Sequence, residues 1–386
     1  MTASDARDAA IGSTPPGAGA ATARACDACL RRAWLLARLS GWIEHVRYER
    51  ATLSEVLALD DRRLVRGVAP DDADLILAER AAFDAAAARA AVERAGAVAV
   101  CRHDAAFPPR LLHAADAPAA LFACGPIEHL AAFHGDERSV AIVGTRRASP
   151  DGLEVARALG RDLALAGVPV VSGMALGIDS AAQTGALDAG GLSVAVLAGG
   201  PERPYPPSKH RLHAALLQRG LVVSELPPGT RPRRWTFPAR NRIIAALADL
   251  IVVVEAGRPS GSLITADLAL RLGREVAAIP GPVLSARHQG TNALLRDGAT
   301  LVRGVDDVLD ALYGAGAAPR IRRAPGANLE PRLQAVLAAL QDGRDTVGAL
   351  AAGDPERAAE ATAALAELEI QGLVARRPGG RYGLVL

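Results

Sequence analysis

Between about residues 139 and 312, short and nearly unbroken apolar runs alternate with stretches whose apolar residues recur at helical spacing. The runs lie at 140–143, 168–172, 193–197, 221–224, 250–255, 275–279 and 300–302. Helices are predicted between most of them, over 151–166, 178–189, 208–219, 262–272, 289–297 and 305–312. Strands that are apolar on both faces and joined by helical crossovers imply a parallel sheet covered on both sides. A doubly wound sheet of this kind binds ligands at the carboxyl ends of its strands. There the chain carries its least ordinary sequence: Gly144-Thr145-Arg146-Arg147, Ser172-Gly173 and the residues up to Ser180, Gly199-Gly200, and Ser260-Gly261-Ser262.

The flanks read differently. Residues 1–24 are rich in Ala, Gly, Thr and Pro and are expected to be a disordered tail. Residues 25–95 form a small helical domain, with helices over 30–39, 53–59, 61–68 and 71–94 and with Thr52 and Asp60 as N-caps. Apolar runs broken by Pro108, Pro109, Pro118 and Pro126 lead into the central domain, assigned to 96–313. Residues 314–327 read as a linker. Residues 328–386 show two helices, a longer one at about 356–371, and a hairpin turning on Pro378-Gly379-Gly380, the pattern of a winged helix.

Composition narrows the chemistry. The 386 residues carry a formal net charge of +2, so any polyanion site must be a local patch. No run of about 18 apolar residues predicts a membrane span. The first 25 residues carry Asp5 and Asp8 and lack the apolar core of a secretory signal, so a cytoplasmic location is expected. The four cysteines (Cys26, Cys29, Cys101 and Cys124) are too few and too scattered for a disulfide framework. Cys26-x-x-Cys29 has no second pair at zinc spacing, and the simpler reading is a chance pair in an unstructured tail. No metal or cofactor is assigned.

One local patch stands out. Residues 230–242 read T-R-P-R-R-W-T-F-P-A-R-N-R and hold Arg231, Arg233, Arg234, Arg240 and Arg242 with no acid. Trp235 and Phe237 lie among them, in a chain with only three Trp, four Tyr and five Phe. Guanidinium groups bind phosphates and stack on bases, and interleaved rings give bases a platform. Asn241 can bond a base edge or brace the backbone. A solvated basic loop with its two rings in the core is the competing reading. Glycine turns that lead from a strand into a helix admit anions to backbone N–H groups. Gly144-Thr145 with Arg146 and Arg147 at the mouth, and Ser260-Gly261-Ser262, are two such cradles. Neither is a P-loop nor a dinucleotide fingerprint. Asp179, Glu225 and Glu255 near strand ends leave a carboxylate site open, although Asp179 capping a helix and orienting an arginine is the simpler reading. His210 and His213 are expected at the surface. The last long helix carries Glu356, Glu360, Glu367 and Glu369, which suits protein contact better than a major groove.

Taken as a set, the central motifs resemble the DNA processing protein A family (DprA, also called Smf). They are A-I-V-G-T-R-R (141–147), V-S-G-M-A-L-G-I-D-S-A-A (171–182), Y-P-P (205–207), the 224–245 segment around R-P-R-R-W-T-F-P-A-R-N-R, S-G-S-L-I-T-A (260–266), G-R-E-V-A-A-I-P-G (273–281) and G-T-N-A-L-L-R-D-G-A (290–299). The resemblance implies an extended Rossmann-like, doubly wound, mostly parallel sheet. A small SAM-like helical domain and a winged-helix domain flank it, and the central domain dimerises. It implies a non-enzymatic binder that protects single-stranded DNA and helps load the RecA recombinase during natural transformation. The family's strand-contacting residues map to Arg146, Arg234 and Phe237. Leu176, Gln183 and Gly200 depart from residues common in the family (Arg, His and Cys), and the first could weaken DNA contact near its turn.

Two rivals remain at this level. The fold also resembles that of nucleoside-monophosphate phosphoribohydrolases, whose P-G-G-x-G-T-x-x-E motif corresponds to P-S-G-S-L-I-T-A-D (259–267) here, without the catalytic Glu. The other is an assembly module whose basic segment binds protein or RNA.

Overall fold

The computed structural model describes residues 25–45, 50–317, 330–370, 373–377 and 379–384. The expected tail at 1–24 and most of the expected linker lie outside these residues. The chain divides into two compact units, Met1–Gly314 and Ala315–Leu386.

The first unit opens with six helices among the described residues: α1 (Asp27–Arg38), α2 (Ser40–His45), α3 (Arg50–Ala58), α4 (Asp61–Val68), α5 (Ala73–Ala81) and α6 (Ala85–Arg94). Asp60 caps α4, its carboxylate accepting from the Arg63 N–H at 2.9 Å. The predicted 71–94 helix is two helices. Asp84 breaks it by accepting from the Ala86 and Ala87 N–H groups, so that an acid able to cap starts a new helix instead of continuing the old one. Thr52 lies inside α3 and is not its cap.

The sheet has nine strands in the order β1-β2-β6-β5-β4-β3-β7-β8-β9. They are β1 (Val98–Cys101), β2 (Ala120–Cys124), β3 (Val140–Val143), β4 (Val170–Ser172), β5 (Ser193–Val196), β6 (Leu221–Ser224), β7 (Leu250–Val253), β8 (Glu275–Ala278) and β9 (Thr300–Leu301). From β6 to β9 every pairing is parallel. The antiparallel pair β1–β2 extends one side of the sheet through β6. The crossovers are α7 (Pro150–Leu165), α8 (Ile178–Asp188), α9 (His210–Arg219), α10 (Thr236–Leu247), α11 (Gly261–Arg271) and α12 (Gln289–Arg296), and α13 (Val305–Tyr313) follows β9. Strands β3 to β7 are buried along their whole length, as their two-sided apolar sequence requires. The sheet order reverses at β3, where the chain leaves β4 on one side and returns as β7 on the other, and a crevice opens there.

The N-terminal helices share a core with the sheet domain. Leu35, Leu39, Ile43, Leu53 and Leu64 pack in one cluster with Leu226, Trp235 and Ala239. Trp235 is 3% exposed, and its indole N–H donates to the Ser40 carbonyl at 3.1 Å. The Glu44 carboxylate accepts from the Arg234 and Trp235 backbone N–H groups. An indole buried with its N–H satisfied is a structural anchor. His213, expected at the surface, is also buried, and its ring nitrogen donates to the Pro201 carbonyl at 2.9 Å.

The second unit holds helices Pro331–Gln341, Val347–Ala351 and Pro355–Ile370 and a two-stranded hairpin, β10 (Val374–Arg377) with β11 (Arg381–Leu384). Leu333, Leu340, Leu365, Leu368 and Val374 form its core.

Trp235→Ala is expected to lower the unfolding free energy by about 3–5 kcal/mol, because it empties a large site between the helices and the sheet. Chemical denaturation followed by circular dichroism checks this, and a loss below about 1 kcal/mol contradicts the anchoring role.

Candidate nucleic-acid interface

The turn after β3 is held from below by one buried acid. Glu255 follows β7, and its backbone carbonyl accepts from the Thr145 N–H at 2.7 Å. Its carboxylate accepts from the Ser149 N–H at 3.0 Å and from the Ser149 hydroxyl. Ser149 in turn caps α7 by accepting from the Gly152 N–H, with Pro150 at the first helical position. Gly144-Thr145-Arg146-Arg147 is therefore fixed at both ends, and both arginine side chains reach solvent. Gly177 runs against this turn with φ 79°. A β-carbon there would stand 2.3 Å from the Thr145 carbonyl oxygen, so glycine is required.

The second half of the basic segment is a helix where the sequence suggested a loop. Helix α10 starts at Thr236, so Phe237, Arg240, Asn241 and Ile244 stand at i, i+3, i+4 and i+7 on one face. All four line a cavity of about 400 Å³. The opposite wall is the Gly144–Arg147 turn, and Pro259, Ser260, Gly261 and Ser262 close a third side. Ser260 caps α11, accepting from the Ser262 N–H. The N-terminus of α11 therefore opens on this cavity, a region of positive potential. The Asn241 side-chain amide donates to the Gly261 carbonyl at 3.3 Å, tying two walls together.

Asp179 is the one acid among the lining residues, and it is buried. It accepts from the Gly173 N–H at 3.1 Å. Burial raises its pKa, and the neighbouring Arg240 opposes that shift. Arg240 is itself buried. Its guanidinium donates to the Gly173 carbonyl and, at 2.7 Å, to the Val196 carbonyl, at the ends of β4 and β5. Burial pulls its pKa down to about 10, with Asp179 opposing. It therefore remains a cation at neutral pH, its charge set against the neighbouring Asp179.

Above this pair lies a stack. The Arg146 guanidinium carbon sits 5.1 Å from the Phe237 ring centroid, and Arg240 lies 6.0 Å from it on the helix. Tyr205 packs on the same ring at 5.4 Å. Tyr205, Phe237, Arg146 and Leu176 share a second, smaller hollow of about 120 Å³ beside the first. An exposed, planar guanidinium beside a half-exposed ring has the chemistry to stack on a flat apolar group and to bond an anion.

The structure brings together Gly144, Thr145, Arg146, Arg147, Phe237, Arg240, Asn241, Ser260, Gly261 and Ser262. Three expected site residues are corrected. Trp235 is in the core. Ser172 is fully buried, its hydroxyl spent on the Ile142 carbonyl at 2.7 Å. Gly173 is also buried. A β-carbon on it would lie 2.3 Å from the Arg240 guanidinium carbon, so it makes room for that side chain, and it lines the smaller hollow beside Tyr205. Arg242 is 4% exposed and ion-paired with Glu225, with Asp116 at 3.5 Å. Two residues beyond Arg240, it falls on the far side of α10. Arg233 and Arg234 are exposed on the turn before α10 and do not line the cavity. The three carboxylates that left hydrolysis open serve separate ends. Asp179 faces Arg240, Glu225 faces Arg242, and Glu255 holds Ser149. Tyr205 and the bracing role of Glu255 were missed. Tyr205 stood in the quoted Y-P-P motif, which was its only signal. Leu176 is exposed beside the stack, whereas Gln183 is fully buried and donates to the Val194 carbonyl.

Residues 98–313 match the DNA recombination-mediator protein A family. A protein of Mycobacterium tuberculosis described as a putative DNA processing protein DprA is 40% identical over 324 residues, 82% of this chain and 77% of its own length. Protein Smf of Escherichia coli is 38% identical over 284 residues, 71% of this chain and 74% of its own. The solved structure of DprA from Streptococcus pneumoniae is 31% identical, with a TM-score of 0.57 over 72% of this chain and 92% of that one. DNA processing protein A of Helicobacter pylori, whose structure concerns a single-stranded DNA binding mode, is 30% identical with a TM-score of 0.49 over 53% and 92% of the two chains. With a family match over more than half its length and such relatives, the chain belongs to the DNA recombination-mediator protein A family, that of DprA and Smf.

Proposed function

We propose that this chain binds single-stranded DNA with little sequence preference and acts as a binder rather than a catalyst. The observation that carries this is the Arg146–Phe237 stack at the mouth of a cavity on which the α11 N-terminus opens. Backbone phosphates lie on Arg146, Arg147 and the Ser260–Ser262 turn, with Arg233 and Arg234 as further phosphate contacts along the strand. Bases stack on the Arg146 plane and the Phe237–Tyr205 edge. No base-reading geometry is needed, because every base has a π-face. The phosphoribohydrolase reading loses support, since Asp267, in the position of the missing glutamate, does not line the cavity. Kinship with recombination mediators supports the finer reading that the bound strand is protected and passed to RecA in the cytoplasm. It also supports a homodimer formed through the central domain. Val283 and Leu284, 83% and 97% exposed, offer apolar surface for that dimer.

Fluorescence anisotropy with labelled oligo-dT tests the site. Phe237→Ala should weaken binding by about 1–3 kcal/mol, the value of one stacked base. Arg146→Ala should both weaken binding and flatten the log K against log salt slope by about 0.7 for the phosphate contact it removes. Unchanged affinity in both would remove the proposal. Preferential competition by folded RNA would point to the assembly-module reading instead. Retention of RecA on the immobilised chain, with and without oligo-dT, tests the partner, and no retention in either case removes it.

Light scattering tests the dimer. Leu284→Asp should shift a dimeric mass to the monomer, and an unchanged dimer would place the interface elsewhere.

A further inference from the structure

The folded chain gathers four metal-binding side chains that the sequence scatters. Cys26 is the N-cap of α1 and Cys29 lies in its first turn. Cys101 ends β1, and His103 follows two residues later. The three sulfurs and one ring nitrogen all lie within 4.8 Å of one another. The His103 Nδ1 atom is 3.5 Å from the Cys26 sulfur, 3.5 Å from the Cys29 sulfur and 3.9 Å from the Cys101 sulfur. A tetrahedral zinc ion, with bonds of about 2.3 Å to sulfur and about 2.0–2.1 Å to nitrogen, sets sulfur and nitrogen ligands about 3.5–3.6 Å apart. The His103 edges to Cys26 and Cys29 match that spacing, and the edge to Cys101 exceeds it by a few tenths of an ångström.

From this convergence we propose that Cys26, Cys29, Cys101 and His103 form a structural zinc site. Three thiolates and an imidazole in a tetrahedron select zinc over the oxygen-seeking cations. The surroundings suit thiolate ligands. The Cys26 backbone N–H donates to the Cys101 sulfur at 3.4 Å, and the α1 N-terminus faces the cluster. Cys29 and Cys101 are buried, while His103 reaches solvent and closes the site from outside. With four protein ligands the site has no open position, so its role is to hold structure.

What it holds is the junction between the N-terminal helices and the outer strand of the sheet. The Ala25 N–H already donates to the Ala99 carbonyl at 2.8 Å, and Arg89 donates to the Ala25 carbonyl. The metal clamps α1 to β1 where the sheet would otherwise end in an open edge. The proposal is independent of the nucleic-acid reading.

The test is elemental analysis of the full chain, purified under reducing conditions without chelator. One zinc per chain is expected, lost in Cys29→Ser and Cys101→Ser and kept in Cys124→Ala, whose thiol lies outside the cluster. Because the serine variants touch buried positions, exposed His103 supplies the second arm. His103→Ala should weaken zinc at least about tenfold against a competing dye, the least that the loss of a direct ligand costs. His103→Cys should restore it. Cobalt(II) added to the stripped wild type should give the visible bands of a tetrahedral thiolate complex. A metal-free chain with four free thiols and no cobalt spectrum would overturn the proposal. So would a Cys26–Cys29 disulfide in freshly reduced material, or zinc affinity indifferent to His103→Ala.

Discussion

The site depends on a cation locked into its floor. Arg240 is buried under Phe237, where it donates to carbonyls at the ends of β4 and β5 and faces Asp179. A lone buried guanidinium would be very costly, and a lone buried carboxylate would take up a proton. Together they are tolerated, because the carbonyls absorb the guanidinium protons and the Gly173 N–H satisfies the acid. The result fixes three things at once: the register of α10, the spacing of two strand ends, and the height at which the Phe237 ring stands.

Above the floor, the mobile cations do different work. Arg146 and Arg147 stand on a turn whose backbone is pinned by Glu255 and Ser149, so their positions are set while their side chains reach into water. An exposed guanidinium stacked on a ring needs little reorganisation to accept a phosphate or a base. The division between buried and exposed arginines takes two of the segment's five, Arg240 and Arg242, out of the exposed charge. Arg242 neutralises Glu225, Arg240 faces Asp179, and only Arg233 and Arg234 of the segment's last four remain at the surface.

Much of this was legible in the residues. Strand positions from 140 to 302 followed from apolar runs, because a strand buried on both faces has little freedom in composition. The two glycine turns followed from their place after strands. The helical start of α10 was not legible. Pro232 and Pro238 and the run of charge masked a 3.6-residue pattern that begins only at Phe237. Once the helix is placed, a two-residue offset separates Arg240 on the cavity face from Arg242 on the far side. Trp235 misled for a related reason. An aromatic residue beside arginines reads as a base platform, yet Ser40 and Glu44, nearly 200 residues earlier, claim it for the core.

The cysteines carry the same lesson further. A metal site read by spacing alone requires its ligands to fall in two close pairs, and here the second half is a cysteine and a histidine more than 70 residues away. What joins them is the antiparallel extension of the sheet, which brings β1 beside the start of α1. That extension has no helical crossover to protect its outer edge, unlike the strands of the parallel core. A short strand at such an edge gains little from hydrogen bonds on one side only. Tying it covalently to the first helix would therefore stabilise the strand and the helical segment together. The Trp235 anchor lies at the other end of that same segment, so the helices would be fastened to the sheet domain at two separate points, one apolar and one through sulfur.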